Sequence, residues 1–240
     1  MSGVNQKGIV VTQIERADSA LIAQFARAGV ATVHEAQQRQ GLLDVRIRPI
    51  QQGVSVAGSA VTVLVSPGDN WMFHVAVEQC QPGDVLLVSP TSDCHDGFFG
   101  DLLATSLKAR GVVALVGDIG IRDSQTLREM GFPVWSRAVF AQGTVKATLG
   151  SVNVPILCAG QLVLPGDIVV ADDDGVVIVP RADAKNIAET TQRRVANEES
   201  KRVRLAAGEL GLDIYQMRGA LAEKGLRYVE SLDALQKSSL

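Results

Sequence analysis

Apolar and polar positions along this chain switch between two periods. Gly8-Ile9-Val10-Val11-Thr12 reads as a short strand, and Leu21, Ile22, Phe25 and Ala28 then recur at helical spacing. The spacing predicts a helix capped by Asp18 or Ser19 and stopped at Gly29. A second short helix carries Thr32, His34 and Glu35. From Val54 to Val65 the pattern predicts two short strands broken by Gly58, and Pro67-Gly68-Asp69-Asn70 turns the chain into a helix bearing Trp71, His74, Val77 and Glu78. Two unbroken apolar runs follow, at 84–89 and 112–117, and read as strands covered on both faces. Each leads through a glycine-containing turn into a helical pattern: Gly97-Phe98-Phe99-Gly100 before Leu102, Leu103, Leu107 and Arg110, then Asp118-Ile119-Gly120-Ile121-Arg122-Asp123 before Leu127 and Met130.

After Gly131 the pattern changes to short strand-like runs at 134–136, 144–146, 155–158, 168–170 and 176–179, separated by Gly, Pro and Asp. Pro82-Gly83-Asp84 and Pro165-Gly166-Asp167 are matching turns, and Asp172-Asp173-Asp174-Gly175 predicts a hairpin. Residues 182–207 hold neither Pro nor Gly, and Ile187, Thr190, Thr191, Arg194, Val195, Glu198, Arg202 and Leu205 give a weakly apolar stripe beside a charged face. Glu198–Arg202 is an i,i+4 pair there. Gly208, Gly211 and Gly219 break up the tail. Helices alternating with strands first, then strands alone, point to a mixed α/β sandwich and not to a doubly wound sheet. The expected division is one α/β domain over 1–181 and a helical arm over 182–240.

Composition narrows the classes. With 240 residues, 46% apolar and 20% charged, the chain builds a substantial core, made of Val, Leu, Ile and Ala because aromatics are 4%. A net charge of −3 argues against a nucleic-acid partner. No apolar run approaches membrane-spanning length and the first residues lack a signal-peptide core, so a cytoplasmic location is expected. Cys80, Cys94 and Cys158 are an odd count without metal or redox spacing, and read as reduced thiols.

The two strand–turn–helix units carry the candidate chemistry. A helix N-terminus after a glycine turn presents free N–H groups to an anion, and Gly97 and Gly100 allow close approach. Arg122-Asp123 sets a permanent cation beside a carboxylate at the second helix start. The plain alternative is a surface ion pair with Asp123 as an N-cap and turn glycines at 97 and 100. Asn70, at a helix start, reads equally as an N-cap, and His74 lies one turn further on. The Ser92-Asp93-Cys94-His95-Asp96 loop offers adjacent donors that do not close one tetrahedral site.

Asp101, twenty intervening residues and then Arg122-Asp123 resemble the signature of the class II pyruvate aldolases that cleave 4-hydroxy-4-methyl-2-oxoglutarate and 4-carboxy-4-hydroxy-2-oxoadipate in bacterial aromatic-acid catabolism. The resemblance extends through 31–36, 68–70, 100–107, 131–137, 165–167, 171–175 and 194–199, nearly the whole chain. It implies a β/β/α swivelling-type sandwich with a C-terminal helical arm, assembled as a trimer or hexamer around a small 2-oxo acid site. It further implies Mg²⁺ or Mn²⁺ at Asp123, and Arg122 on the substrate and on the developing enolate. The substrate would also meet Gly100, Asp101, the amides of Leu102 and Leu103, Glu35 and Asn70. A water oriented by Asp101, or by Glu198 from a neighbouring subunit's arm, would be the base, with Glu199 as the nearest substitute. No lysine is placed for an imine. Oxaloacetate decarboxylation is the implied side activity. The family usually carries an acidic residue just after Arg-Asp, where this chain has Ser124, Gln125 and Thr126 and no carboxylate before Glu129. Two other readings remain: a non-catalytic trimer like the regulators of ribonuclease E activity, which share the fold, and a lyase of a different 2-oxo acid.

Overall fold

In the computed structural model, which describes residues 7–231 and 233, α1 (Ser19–Ala28) and α2 (Val30–Ala36) precede β1 (Arg48–Pro49) and β2 (Val56–Val65). Next come α3 (Trp71–Gln79), β3 (Asp84–Pro90), β4 (Gly97–Phe99), α4 (Asp101–Ala109), β5 (Ala114–Ile121), α5 (Ser124–Glu129) and β6 (Val134–Val139). Short strands β7 (Ser151–Val152), β8 (Ile156–Cys158) and β9 (Gln161–Val163) lead to the hairpin of β10 (Ile168–Asp172) and β11 (Gly175–Val179). A 3₁₀ turn, Arg181–Asp183, opens α6 (Ala184–Ala206), and α7 (Gly211–Ile214) and α8 (Arg218–Glu223) follow.

The main sheet runs β1-β6-β5-β3-β2-β10-β11, with β4 also on β5 and β7 on β2, and curls into a nearly closed barrel. Its centre, β2-β3-β5-β6, is parallel, while β10 and β11 join antiparallel. Both faces are covered, which is why β3 and β5 read as unbroken apolar runs. Leu86, Val88, Leu115, Ile119 and Ile121 face α3, α4 and α5, where Phe73, Phe99 and Phe132 stack at centroid distances of 6.1 and 5.9 Å. Val85, Leu87, Val116, Trp135, Val169 and Ile178 fill the barrel interior. A third cluster packs Phe25, Val30, Val33, Ala184 and Ala188 against Ile168, Val170, Val177 and Val179.

The predicted elements hold with five corrections, the first that Gly97-Phe98-Phe99, read as a turn, is the buried strand β4 paired with β5. Residues 56–65 form one strand, because Gly58 does not break it but lets Gly83 approach: a Cβ at Gly58 would lie 2.3 Å from the Gly83 carbonyl oxygen. β5 continues through Asp118, Ile119, Gly120 and Ile121, so the glycine there is strand and not turn. Residues 8–12 are extended along β7 with one bridge, Val10 to Val152, and no strand forms at 144–146, where Val145 makes a single bridge to Asp69. The matching turns are as expected: the Asp84 carboxylate accepts from the Gln81 N–H at 2.7 Å, and the Asp167 carboxylate accepts from the Leu164 N–H at 2.9 Å. The hairpin at 172–175 is also present, and the Asp172 carboxylate accepts from the Val30 N–H at 2.7 Å, tying α2 to the sheet.

The chain divides into two compact units, 1–194 and 195–240, with the division inside α6. The physical reason is burial: Ala184, Ala188 and Thr191 belong to the first unit's core. No described residue of the second unit is buried. It is held locally by Arg204 on Glu209 (2.7 Å), Arg218 on Asp213 (2.6 Å) and Lys201 over the Tyr215 ring (4.5 Å). No helix among the described residues is long and apolar enough to cross a membrane.

Leu87→Ala, inside the barrel, is expected to cost about 2–5 kcal/mol and lower the melting temperature by roughly 4–20 °C. Leu157→Ala, at 67% exposure, is expected to stay within about 0.5 kcal/mol. Thermal unfolding followed by circular dichroism compares the two.

Candidate active site

β4 and β5 pair in parallel, Gly97 with Gly120 and Phe99 with Ile121, so the two chains leave the sheet side by side. β4 passes through Gly100 into α4, and β5 passes through Arg122-Asp123 into α5. The Arg122 N–H donates to the Phe99 carbonyl at 2.8 Å, locking the two exits together. A Cβ at Gly100 would lie 2.1 Å from Asp123 Oδ2 and 3.3 Å from Arg122 Cγ, so a larger residue there would push the Asp123 carboxylate out of its present place. Asp123 is left-handed (φ 54°, ψ 31°), a conformation that is uncommon for a residue with a side chain. It stands at the N-cap position of α5 without capping it. Its carboxylate turns instead to the start of α4, with Oδ2 at 3.4 Å from the Asp101 N–H nitrogen and 3.6 Å from Arg122 Nε.

Asp101 Oδ1 accepts from the Leu102 N–H at 2.8 Å, and the Thr105 hydroxyl donates to the Asp101 carbonyl at 2.9 Å. Of the two amides predicted to bind a carboxylate, that of Leu102 is therefore already engaged. Leu103's lies in the first turn, where a helix offers no internal acceptor. The Arg122 side chain is 49% exposed and that of Asp123 38%, which leaves both within reach of a solute.

A loop crosses the guanidinium. Gly97 N–H donates to the Gln142 carbonyl at 2.7 Å, Phe140 N–H to the Ile121 carbonyl at 2.8 Å and Asn70 N–H to the Val145 carbonyl at 3.0 Å. A Cβ at Gly143 would stand 3.2 Å from Arg122 Nη1. These bonds hold 140–145 as a loop that runs into 144–146, where a strand is predicted. Asn70 Nδ2 donates to the Phe98 carbonyl at 2.9 Å, and its Oδ1 is buried without a partner. Asn70 stands at the N-cap position of α3 but its side chain makes no cap bond. Asp69, one residue earlier, supplies one: its Oδ1 accepts from Trp71 N–H at 2.8 Å, while Oδ2 accepts from Ala147 at 2.6 Å and Thr148 at 2.8 Å. Burial opposes charge on Asp69, yet the three amides outweigh it and hold its carboxyl below the usual range. His74 remains exposed, and what burial it has, with Lys146 nearby, pushes its imidazole down.

Gly100, Asp101, Leu102, Leu103, Asn70, Arg122 and Asp123 are thus gathered at one place. Glu35 is bound elsewhere: it pairs with Arg39 at 2.9 Å and Arg194 at 3.5 Å, and Arg39 holds its carboxyl low. Glu198 belongs to the second unit. Arg202 pairs with Glu199, one residue on from the predicted partner. Glu129 accepts from Gln125 Nε2 at 2.8 Å on the α5 surface. Asp69, which pins the loop, and the Gln142-Gly143 segment escaped the sequence reading; the only signal for Asp69 was its place in a Gly-Asp-Asn turn.

The family model described as RraA-like, Aldolase/RraA, matches residues 30–178. A protein of Halalkalibacterium halodurans provisionally named a 4-hydroxy-4-methyl-2-oxoglutarate aldolase is 28% identical over 84% of this chain and 96% of its own. One of Burkholderia multivorans with the same provisional name is 30% identical over 64% of this chain and 95% of its own. The crystal structure of Streptomyces coelicolor RraAS2, described as an unusual member of the RNase ES inhibitor RraA family, superposes with a TM-score of 0.70 at 33% identity, over 79% of this chain and 100% of that one.

Asp69→Ala leaves three amides without their acceptor and is expected to destabilise by about 1–3 kcal/mol or more. Because the folded pKa is depressed, the carboxylate's contribution is complete above about pH 4 and is lost as pH falls through its folded value. Urea unfolding between pH 7 and pH 3 is expected to show the gap between wild type and Asp69→Ala closing at the acid end.

Proposed function

This chain belongs to the RraA-like family, Aldolase/RraA, and we propose that it is a divalent-metal-dependent, class II pyruvate aldolase of the cytoplasm. Its substrates in this reading are 4-carboxy-4-hydroxy-2-oxoadipate, giving pyruvate and oxaloacetate, and 4-hydroxy-4-methyl-2-oxoglutarate, giving two pyruvates. Both are products of aromatic-acid breakdown, and oxaloacetate decarboxylation accompanies them. The observation that carries the reading is the convergence of Arg122 and Asp123 on the Gly100-Asp101 turn.

Mg²⁺ or Mn²⁺ is the cofactor in this reading, and the donor chemistry fits. Asp123 and Asp101 bring two carboxylates to one turn, each with one oxygen outside the bonds described above. Among the described residues no group of three His, Cys, Asp or Glu encloses an ion. Two carboxylates and open solvent suit a hard cation that keeps most of its waters. Asp123 would hold the ion, directly or through water. When bound, it supplies Lewis-acid charge at the oxygens of the 2-oxo acid.

The protein's own groups do the rest. The Leu103 amide and the Gly100 turn cradle the substrate carboxylate. Asp101 orients a water that takes the proton of the C4 hydroxyl. As the C4 carbonyl forms, the C3–C4 bond breaks and its electrons pass to the 2-oxo oxygen as the enolate of pyruvate. Arg122, a planar cation with several donors, neutralises that oxygen, and C3 then takes a proton. Loss of CO₂ from oxaloacetate reaches the same enolate.

Glu198 completes the site from the arm of a neighbouring copy in a trimer or hexamer, whereas Glu35 stays paired with Arg39 and Arg194 outside this turn. The support is the second unit itself, which buries none of its described residues yet exposes Val203, Leu205, Leu210, Tyr215, Met217 and Tyr228. The second reading, a protein-binding regulator of RNA processing, is favoured by the likeness to RraAS2.

With Mg²⁺, pyruvate release from either substrate is expected in a reductase-coupled assay and is expected to stop with EDTA. Release untouched by chelation removes the metal, and no release with metal present favours the regulator. Arg122→Lys is expected to lower kcat on the order of 100-fold with the fold intact, and near-normal turnover contradicts its role. A chain ending at Arg194 is expected to show fewer copies per particle in light scattering; an unchanged number of copies rules out the arm as the intersubunit contact.

A further inference from the structure

β5 reaches Arg122 through an irregular stretch. Between the pairs Gly117–Ser136 and Gly120–Ala138 it takes three steps while β6 takes two, so Asp118 and Ile119 stand opposite Arg137 as a bulge. On its other side, the pairs Gly97–Gly120 and Phe99–Ile121 match two steps of β4 to one of β5. Both neighbours change register within the span that ends at Arg122. A bulge turns the residues that follow it and must be held in place.

The side chain at the bulge is held from two sides. Asp118 is 7% exposed. Arg46 donates to it twice, from Nε at 2.9 Å and from Nη2 at 2.8 Å, and Arg137 Nη1 lies 3.6 Å from Oδ1. Arg137 also donates to Asp93 and keeps that carboxyl below its usual range. Arg46 is itself anchored, its N–H donating to Asp44 Oδ1 at 2.9 Å. Both oxygens of Asp118 are therefore occupied by arginines of other segments, one of them directly across the bulge, and the group is closed to substrate. Bidentate pairing with little solvent is the strong, directional form of this contact.

We infer that Asp118, clamped by Arg46 and Arg137 at the β5 bulge, is a positioning residue that aims Arg122 and Asp123 at the Gly100 turn. Without the clamp the β5–β6 ladder regularises by one residue, and the Arg122 N–H leaves the Phe99 carbonyl. Both contacts lie at this turn, the Arg122 N–H on the Phe99 carbonyl and Asp123 Oδ2 against Gly100, so a one-residue shift of β5 moves both.

The kinetic part of the test rests on the aldolase reading; the structural part does not. Asp118→Asn is expected to lower kcat for oxaloacetate decarboxylation on the order of 10- to 100-fold, as a misplacement of about 1 Å does. In an Arg122→Lys background the same change is expected to cost less than about 3-fold, because the group it positions is gone. Equal losses in both backgrounds mean a merely structural role and overturn the inference. Crystal structures of wild type and Asp118→Asn are expected to show the 2.8 Å Arg122–Phe99 bond lost and Asp123 displaced. An unmoved Arg122 overturns the inference even if the wild type cleaves nothing. Should Asp118→Asn not fold, Arg46→Gln, at a 40% exposed side chain, carries both measurements with the same expected directions.

Discussion

The structure depends on one steric constraint: two parallel strand exits share the space of a single methyl group. β4 and β5 end beside one another, and the Asp123 carboxylate lies where Gly100 would carry its Cβ. Everything chemical at this site follows from that contact. It brings a cation, two carboxylates and the start of α4 together, while Asp123 takes a left-handed backbone and leaves its own helix uncapped. A residue that forgoes its ordinary local partner is held by its surroundings, and such strain concentrates where geometry is functional.

Around that contact the fold uses one device repeatedly, a buried aspartate whose charge is satisfied by backbone amides or by arginine. Asp69 gathers three N–H groups and fastens the loop that crosses Arg122. Asp84 and Asp167 close matching turns, Asp84 with two further bonds from Arg16 at 2.8 Å and Asp167 with the Arg181 N–H at 2.9 Å. Asp118 holds the bulge in β5. Each charge would be costly to bury alone, and each is tolerated because its partners come from segments far apart in sequence. The hydrophobic layers set the sheet's position, and these aspartates set the direction in which its loops leave.

The two units differ in the same terms. The first has three apolar clusters, and the opening turns of α6 belong to one of them. The second has ion pairs and a cation–π contact, and none of its described residues is buried. Local electrostatic contacts of this kind contribute little at a solvent-exposed surface.

Much of the site was legible without coordinates. Unbroken apolar runs at 84–89 and 112–117 mark strands covered on both faces, and Gly100-Asp101 and Arg122-Asp123 precede helical patterns, so two helix starts were readable from periodicity and turn chemistry, while the strand β4 that enters the first read as a turn. The helix limits at Asp18 and Gly29, the hairpin at 172–175 and the paired Pro-Gly-Asp turns were readable for the same local reasons. Other features were decided by tertiary structure, because they depend on what lies across space. Gly58 looks like a break until Gly83 is seen against it, and 144–146 looks like a strand until its hydrogen bonds are seen going to 68–70. Asn70 stands at the N-cap position as its place suggests, yet the carboxylate that accepts from the helix start is that of Asp69. Sequence determined which residues stand at the two junctions, through patterns that repeat every two or four residues. Only the folded chain decided that Asp123 would turn away from its own helix towards Gly100, since that choice comes from strand register and a buried ion pair, neither of which leaves a local pattern.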